Sequence, residues 1–135
     1  MGGLIIRPAT HDDLAAIGGI QGKSSWQPKD YLDFDCTVAI ENELVIAFLA
    51  TRETTPGEHE ILFLAVDPAH RRQGIARALL QNQIESQSGD WFLEVRASNT
   101  PAISLYESVG FTAVGTRPDY YSEPPETAIV MRFFS

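Results

Sequence analysis

Residues 61–80 read ILFLAVDPAHRRQGIARALL, and the architecture of the chain follows from this stretch. Its first six residues, 61–66, are all apolar, and such an uninterrupted run predicts a strand buried on both faces. Pro68 ends the strand, because proline has no N–H to donate to a neighbouring strand. From Ile75 onwards the apolar residues recur at helical spacing. The stretch therefore predicts a strand, a basic turn and a helix.

The turn between this strand and helix contains Arg71, Arg72, Gln73 and Gly74. The first N–H groups of a helix have no partner within the helix, and the helix dipole adds partial positive charge at the same end. Such a turn favours an anion, in particular a phosphate or a pyrophosphate. The alternative is an ordinary strand–helix connection whose arginines are only solvated.

The motif R-x-x-G-x-A at residues 71–76, directly after LAVDP, resembles the pyrophosphate loop of the GNAT superfamily of N-acetyltransferases. That loop has the pattern Q/R-x-x-G-x-G/A. The resemblance implies an α/β, GNAT-like fold with a mixed, mostly antiparallel sheet of about six to seven strands and helices on both faces. It also implies acetyl-CoA as co-substrate.

The composition fits one globular domain. The chain has 135 residues, of which 44% are hydrophobic, and this is enough apolar content for one core. No segment approaches the roughly 20 apolar residues of a membrane span, and no signal-peptide pattern opens the chain. The single cysteine, Cys36, cannot form an internal disulfide, which fits a reducing compartment. We therefore expect a cytoplasmic protein with one N-acetyltransferase domain, residues 1–135, and no membrane partner.

Charge and histidine spacing limit the partners. The net charge of -8 argues against nucleic-acid binding, which requires a basic face. The same charge would steer a basic partner to the protein, although solubility alone is an equal explanation. His11, His59 and His70 lack the spacing of metal ligands, so we expect no metal. We expect a monomer or a weak dimer, and Cys36 suits a buried packing role better than a nucleophile.

Turn and capping residues predict the element order β-α-α-β-β-β-α-β-α-β-β. Thr10 and Asp13 suit a capping box at the first helix, and Ser98 or Asn99 can cap the last helix, which Gly110 ends. Further predicted elements are a helix from about Gln73 to Ser86, strands at 91–95, 111–114 and 127–134, and a turn at Pro124-Pro125.

Three residues are candidates for acid–base chemistry. Glu94 interrupts the apolar strand 91–95, where a carboxylate is costly unless it is paired or lines a wet cleft. Burial strengthens a carboxylate as a base, so Glu94 is a candidate general base, with an ion pair to Arg96 as the alternative. Tyr106, in the next helix, is either half-buried packing or a proton donor to a leaving thiolate. Glu60 is a competing base, unless it lies on a solvated face.

Several segments share a second resemblance. They resemble the bacterial ribosomal-protein alanine N-acetyltransferases, a GNAT subgroup related to the enzymes that acetylate protein N-termini. The matching segments are EVRASN at 94–99, LYES at 105–108, RPDYY at 117–121, then Glu126, Ala128 and Met131, with Trp26 near the family's first loop.

This resemblance implies residue roles. Glu94 would accept the proton of the acceptor amine, directly or through water, and Tyr106 would donate a proton to the departing thiolate. The acetyl group would move directly, and the Val66 N–H would stabilise the oxyanion. The residues implied to hold acetyl-CoA are Leu64, Ala65, Val66, Arg71, Arg72, Gln73, Gly74, Ile75, Ala76, Arg77 and Asn99.

The acceptor side is less defined by the sequence. Trp26, Tyr120, Tyr121 and Glu126 are candidates to line a peptide groove, with aromatic packing as the alternative for each ring. The resemblance implies an acceptor that is a protein N-terminus with a small first residue such as alanine, including that of a ribosomal protein. The alternatives are a small-molecule amine or antibiotic as acceptor, or a non-catalytic module that only binds acyl-CoA.

Overall fold

The computed structural model describes residues 3–22, 26–71 and 73–134. Its strands are Ile5–Pro8 (β1), Asp35–Glu41 (β2), Leu44–Thr55 (β3), Glu58–Val66 (β4), Asp90–Arg96 (β5), Thr112–Ser122 (β6) and Pro125–Phe133 (β7). Its α-helices are Leu14–Ile20 (α1), Ile75–Ser86 (α2) and Thr100–Ser108 (α3), and 3-10 helices lie at His11–Asp13, Pro28–Asp33 and Pro68–His70. The predicted element order is confirmed, with Pro28–Asp33 as the second helical element.

The strands of the described residues form a seven-stranded sheet in the order β1-β2-β3-β4-β5-β7-β6. The pairs β1–β2, β2–β3, β5–β7 and β6–β7 are antiparallel. Strands β4 and β5 are parallel and pair over three residues, from Glu58 opposite Asp90 to Glu60 opposite Phe92. The predicted α/β class with a mixed, mostly antiparallel sheet is confirmed.

Contacts between Cα atoms divide the chain into two compact units. The first unit comprises Met1–Arg52 and Ile61–Glu85, and the second comprises Glu53–Glu60 and Ser86–Ser135. The single domain expected from the chain length stays a prediction. None of the helices in the described part of the chain has both the length and the apolar character that a membrane crossing requires.

An aromatic cluster forms the centre of the first unit. Tyr31 is fully buried, and its ring centroid lies 4.9 Å from that of Phe48 and 5.1 Å from that of Trp26. Phe63, on β4, stacks on Phe48 with centroids 5.4 Å apart. These contacts fasten the 3-10 helix Pro28–Asp33 to β3 and β4 through buried ring area.

A buried ion pair joins β1 to the helical segment that follows it. The carboxylate of Asp13, which is 4% exposed, accepts hydrogen bonds from the Arg7 guanidinium at 2.8 and 2.9 Å. It also accepts the Thr10 N–H at 2.7 Å, which is the backbone half of the predicted capping box. The Arg7 hydrogen bond is the main reason that the pKa of Asp13 lies below its ordinary value.

Strand β5 alternates between a buried and a half-buried face in the second unit. Trp91, Leu93 and Val95 are buried, whereas the residues between them are half-buried. The deep burial expected for the whole strand therefore holds for only one of its faces. Because successive side chains of a strand point to opposite sides, Glu94 and Arg96 share the half-buried face.

Two glycines of the second unit combine a positive φ with a close neighbour where a Cβ would lie. Gly89 has a φ of +122°, and a Cβ there would lie 2.5 Å from the carbonyl oxygen of Gly57. The next N–H, of Asp90, donates to that same oxygen at 2.9 Å. Gly110 has a φ of +110°, and its Cβ would meet the Phe133 ring at 2.9 Å. The close approach at Gly89 sets the entry into β5.

Three predicted boundaries are wrong for physical reasons. Helix α2 begins at Ile75 rather than Gln73, because Gly74 has a φ of +77°, outside the right-handed helical region. Strand β6 extends to Ser122 and includes Pro118, whereas the sequence predicted a strand that ends at Val114. Proline is tolerated because β6 is an edge strand. The turn lies at Glu123–Pro124, and Pro125 is the first residue of β7.

Candidate active site

The end of β4 and the turn after it carry the predicted cofactor strand and loop of the first unit. Only Ile61 of the apolar run is buried, and residues 62–66 are half-buried, so the expected burial on both faces is wrong for most of the run. The Asp67 N–H donates to the Ile46 carbonyl at 2.7 Å, and the Asp67 carboxylate accepts the Ala69 N–H at 2.9 Å. These bonds fix the point where β4 leaves the sheet.

The loop before α2 has the composition and the backbone that an anion requires. The Ala78 N–H donates to the Gly74 carbonyl at 3.0 Å, so the helical hydrogen bonds begin at Gly74. Arg71, Gln73, Gly74 and Arg77 are exposed, while Ile75 is buried and anchors the first turn. Ala76 is half-buried, and the predicted cofactor residue Arg72 lies outside the described residues.

These features fit a pyrophosphate. The N–H groups of the first turn of α2 have no partner within the helix, and the two described arginines add positive charge at the same end. Among the described residues, and apart from its two chain neighbours, Gly74 has no atom within 4 Å of where a Cβ would lie. A phosphate oxygen can therefore approach the backbone closely at this point.

Glu94 lies on the half-buried face of β5, and its side chain is 9% exposed. Its charged partner is Arg117 on β6, whose Nη1 lies 3.5 Å from the Glu94 Oε2. Among the described residues this oxygen accepts no hydrogen bond. The ion pair with Arg96 considered from the sequence is wrong, because the guanidinium of Arg96 is bonded elsewhere. Glu94 therefore keeps a lone pair available for a proton.

Glu60 shares a face of the sheet with Glu94. It is the register partner of Phe92, two residues before Glu94, and paired residues of neighbouring strands point to the same side. Burial, followed by the charge and hydrogen bonding of Glu94 and then the charge of Glu60, raises the pKa of Tyr120. The phenol of Tyr120 thus responds to both carboxylates, and the half-buried Glu60 is not simply a solvated side chain.

Tyr106, on α3, is a buried phenol that keeps its proton. Burial raises its pKa to about 12, and the nearby Tyr121 contributes further in the same direction. The Tyr106 ring meets Phe111 edge-on, with centroids 5.8 Å apart. At neutral pH the side chain is a hydrogen-bond donor and not a phenolate.

Asn99 caps α3, as predicted. Its Oδ1 accepts the Ala102 N–H at 3.3 Å, and Pro101 occupies the first turn. Asn99 itself is exposed, so the side chain that caps the start of the helix also faces the surroundings. A role in binding acetyl-CoA stays a prediction.

The double tyrosine of β6 lies at an irregular part of the strand. The register with β7 shifts between Arg117 and Tyr121, and Asp119 has a φ of +56°. Such a bulge redirects the side chains that follow it. The rings of Tyr120 and Tyr121 meet at right angles with centroids 5.0 Å apart, and guanidinium groups lie over both rings. Tyr120 is 47% exposed and Tyr121 half-buried, which leaves ring surface available for a ligand.

Glu126 is bonded to the protein through both carboxylate oxygens. Its Oε2 accepts the Ser98 N–H at 2.6 Å, and its Oε1 accepts an Arg96 N–H at 3.3 Å. Sequence reasoning considered Arg96 only as a partner of Glu94. The two-residue period of β5 places Arg96 on the same face as Glu94, but no local pattern identifies Glu126, 30 positions away, as its partner.

Trp26 lies in the first unit and packs against its aromatic cluster. Its ring is stacked on Tyr31 and tilted toward Phe34 at 5.4 Å. The packing alternative is therefore observed, and a contact with the acceptor stays a prediction. Cys36 is buried, and burial raises the pKa of its thiol to about 11, which is the behaviour of a packing residue. Residues 3–22, 26–71 and 73–134 contain no cluster of metal-ligating side chains.

The chain matches the family described as the acetyltransferase (GNAT) family over residues 10–111. The [ribosomal protein bS18]-alanine N-acetyltransferase of Escherichia coli (strain K12) is 40% identical over 114 residues, which cover 80% of this chain and 74% of that protein. An uncharacterized protein of Mycobacterium leprae (strain TN) is 46% identical over 80 residues, which cover 58% of this chain but only 22% of that longer protein.

Two solved structures share the architecture. The crystal structure of the ribosomal-protein-S18-alanine N-acetyltransferase from Escherichia coli has a TM-score of 0.86 and 32% identity, and covers 98% of this chain and 94% of that chain. The crystal structure of Arabidopsis thaliana NAA60 in complex with acetyl-CoA also has a TM-score of 0.86, at 20% identity, and covers 98% of this chain and 100% of that chain. The second likeness shows the fold alone.

Proposed function

This chain belongs to the GNAT acetyltransferase family and is an acyltransferase, and we propose that its acceptor is the α-amino group of a protein N-terminus. The acetyl donor is acetyl-CoA, and the first residue of the acceptor is small, with alanine as the leading candidate. A ribosomal protein is the natural target that the Escherichia coli relative suggests. The observation that carries the proposal is a nearly buried, incompletely bonded carboxylate, Glu94, in the strand whose segment matches that relative's family.

Glu94 is the base in this proposal. An α-amine has a pKa near 8, so at neutral pH only a minority of acceptor molecules carry the free lone pair. Glu94 takes the excess proton, directly or through one water molecule, and Arg117 is its charged partner before the acceptor arrives. The ammonium group of the acceptor can replace Arg117 as the positive partner of Glu94.

The loop before α2 and the end of β4 bind the donor. The N–H groups at the start of α2, with Arg71 and Arg77, hold the pyrophosphate of acetyl-CoA. The backbone of Leu64, Ala65 and Val66 holds the pantetheine arm. The Val66 N–H donates to the carbonyl oxygen as negative charge develops on it, a contribution of about 3–4 kcal/mol in comparable sites.

Tyr106 serves the departing sulfur. Because its pKa is about 12, it stays protonated and donates a hydrogen bond that strengthens as charge appears on the thiolate. Tyr120 and Tyr121 present ring surface to the acceptor peptide, and Trp26 of the first unit is a further proposed contact of that peptide. The reaction releases one molecule of CoA for each acetylated N-terminus.

The test is a comparison of acceptors. An alanine-starting peptide is compared with the same peptide blocked at its N-terminus, with spermine, with lysine and with an aminoglycoside, while thiol release is followed. We expect turnover with the free peptide, none with the blocked one, and a mass increase located on the α-amine. Equal or faster turnover of the small amines would overturn the proposed acceptor class.

A further inference from the structure

Arg96 is bonded to both carbonyls of the turn between β6 and β7. Its Nη1 donates to the Pro124 oxygen at 2.9 Å, and its Nη2 donates to the Glu123 oxygen at 3.1 Å. The same guanidinium lies 4.3 Å above the ring of Tyr121. One side chain from the end of β5 therefore holds the turn and covers the second tyrosine of the pair.

Glu126 extends this contact to the beginning of α3. Its carboxylate accepts an Arg96 N–H and the Ser98 N–H, which immediately precedes the helix cap Asn99. Hydrogen bonds from the Ser98 side chain and backbone, together with that from Arg96, hold the pKa of Glu126 below its ordinary value. Glu126 therefore stays ionised and keeps both of its partners throughout the neutral range.

The end of the β6–β7 hairpin that carries the two tyrosines has few register pairs of its own. Residues 112–120 are all exposed, and the register with β7 is interrupted between Arg117 and Tyr121. After this interruption the strands resume with only two register pairs, Tyr121 opposite Glu126 and Ser122 opposite Pro125. A two-pair ladder is marginal without further contacts. The Arg96 contacts supply a fixed attachment at this point.

We propose that Arg96 and Glu126 are positioning residues that fix the double-tyrosine segment, residues 120–121, against the start of α3 and so set the affinity for the acceptor peptide. The proposal rests on the proposed function, in which Tyr120 and Tyr121 contact that peptide. It also assigns Glu126 a different role from the one expected from the sequence, because its carboxylate acts through Ser98 and Arg96 and not on the peptide itself.

A role in positioning the acceptor and a general role in stability have different kinetic consequences. Tyrosines that contact the peptide away from the reacting atoms bind substrate and transition state alike, so loosening them raises the KM for the acceptor while kcat changes little. A general loss of folded protein lowers the active concentration, and therefore apparent kcat, without changing either KM. The KM for acetyl-CoA, whose proposed contacts other than Asn99 lie in the first unit, gives an internal reference.

The test uses Arg96→Met and the matched control Arg132→Met in the full chain. Arg132 is also half-buried, pairs with a glutamate (Glu58, 2.9 Å) and lies over the Phe92 ring, but it occupies the other end of β7. We expect Arg96→Met to raise the acceptor KM about tenfold, with kcat and the acetyl-CoA KM within about threefold of wild type. Arg132→Met should leave the acceptor KM unchanged. Equal effects of the two variants would overturn the proposal.

Glu126→Gln provides a milder second variant. It keeps the side-chain shape and one oxygen acceptor but removes the charge that holds Arg96, so the acceptor KM should rise about threefold. Amide hydrogen exchange, followed by mass spectrometry, should quicken in residues 117–126 in both variants and not in Arg132→Met.

Amide hydrogen exchange also distinguishes a failure of the proposed function from a failure of the positioning role. If wild-type protein acetylates no N-terminal peptide, the proposed function is wrong, and the exchange of residues 117–126 alone decides the positioning role. Unchanged exchange in Arg96→Met would overturn that role. Faster exchange combined with an unchanged acceptor KM would also overturn it, because the segment would then be held without serving the acceptor.

Discussion

Replacement of Tyr106 by phenylalanine removes one O–H group from a buried position of α3 and leaves the ring contact with Phe111 in place. The side chain is 9% exposed, and burial raises its pKa to about 12. At pH 8 only about one molecule in 10⁴ then carries a phenolate, since each pH unit below the pKa is a factor of ten. Tyr106 is consequently a donor at every pH at which the reaction can be followed.

The same pKa limits what Tyr106 can do for the leaving group. A simple thiol has a pKa of roughly 8.5, so complete proton transfer from Tyr106 would be uphill by roughly 3.5 units, or ~5 kcal/mol. A hydrogen bond to the developing thiolate has no such barrier. Loss of one positioned donor of this kind costs about 10²–10³ in kcat. We therefore expect that loss in Tyr106→Phe, with the Kd for acetyl-CoA unchanged.

The assay is thiol release from acetyl-CoA with an alanine-starting peptide between pH 6 and pH 10.5, with calorimetry for donor binding. Tyr31→Phe is the matched control, because it removes another buried phenol but from the aromatic cluster of the first unit. Two results would refute the reasoning. One is full turnover in Tyr106→Phe. The other is a fall in wild-type rate near pH 10 that disappears in Tyr106→Phe, since Tyr106 would then titrate at its ordinary value.

The remaining predictions concern the base, a turn and acid stability. Glu94→Gln should slow turnover by about 10²–10⁴-fold and Glu60→Gln by less than tenfold, measured by the same thiol assay; the reverse ranking would make Glu60 the base. Gly89→Ala should lower the free energy of unfolding, measured in urea, by about 1–3 kcal/mol, because Gly89 has a positive φ and an added Cβ would clash. Gly19→Ala is the control on α1, where an added Cβ meets no described atom, and should raise the free energy of unfolding by up to ~1 kcal/mol. The ion pair with Arg7 lowers the pKa of the Asp13 carboxyl in the folded state. The stabilisation from this ion pair is therefore complete above about pH 4 and is lost as the pH falls through the folded pKa. Urea unfolding from pH 7 to pH 2 should show this loss of stability in wild type and a smaller loss in Asp13→Asn.

Local patterns predicted the elements well, because each is encoded by neighbours in sequence. The change of period at Ile75 and the cap at Asn99 are readable from a few adjacent residues. The partner of Glu94 was not readable in this way. Whether Arg96 or Arg117 reaches it depends on the register of β6 against β7, which shifts at two places. A one-residue shift moves a side chain to the other face of the sheet.

The candidate site also contains features that neighbouring residues encode and features that depend on distant parts of the chain. The loop at residues 71–76 is contiguous, so the sequence alone shows its basic, glycine-containing turn, and its binding of an anion stays a prediction. The attachment of the hairpin by Arg96 and Glu126 joins residues 30 positions apart. Its recognition requires knowing that the β6–β7 turn returns to the end of β5. The extent of β6 was missed for a related reason, since Pro118 is acceptable only on a strand with no outer neighbour.

The irregularity of β6 also affects how readily the protein can aggregate. A straight edge strand of eleven residues with exposed Val114 and Tyr120 would offer another molecule a template for pairing and a route to fibrils. Two register shifts, a proline and a left-handed Asp119 interrupt that template. The bend that redirects the tyrosines thus also removes a continuous template for edge-to-edge pairing.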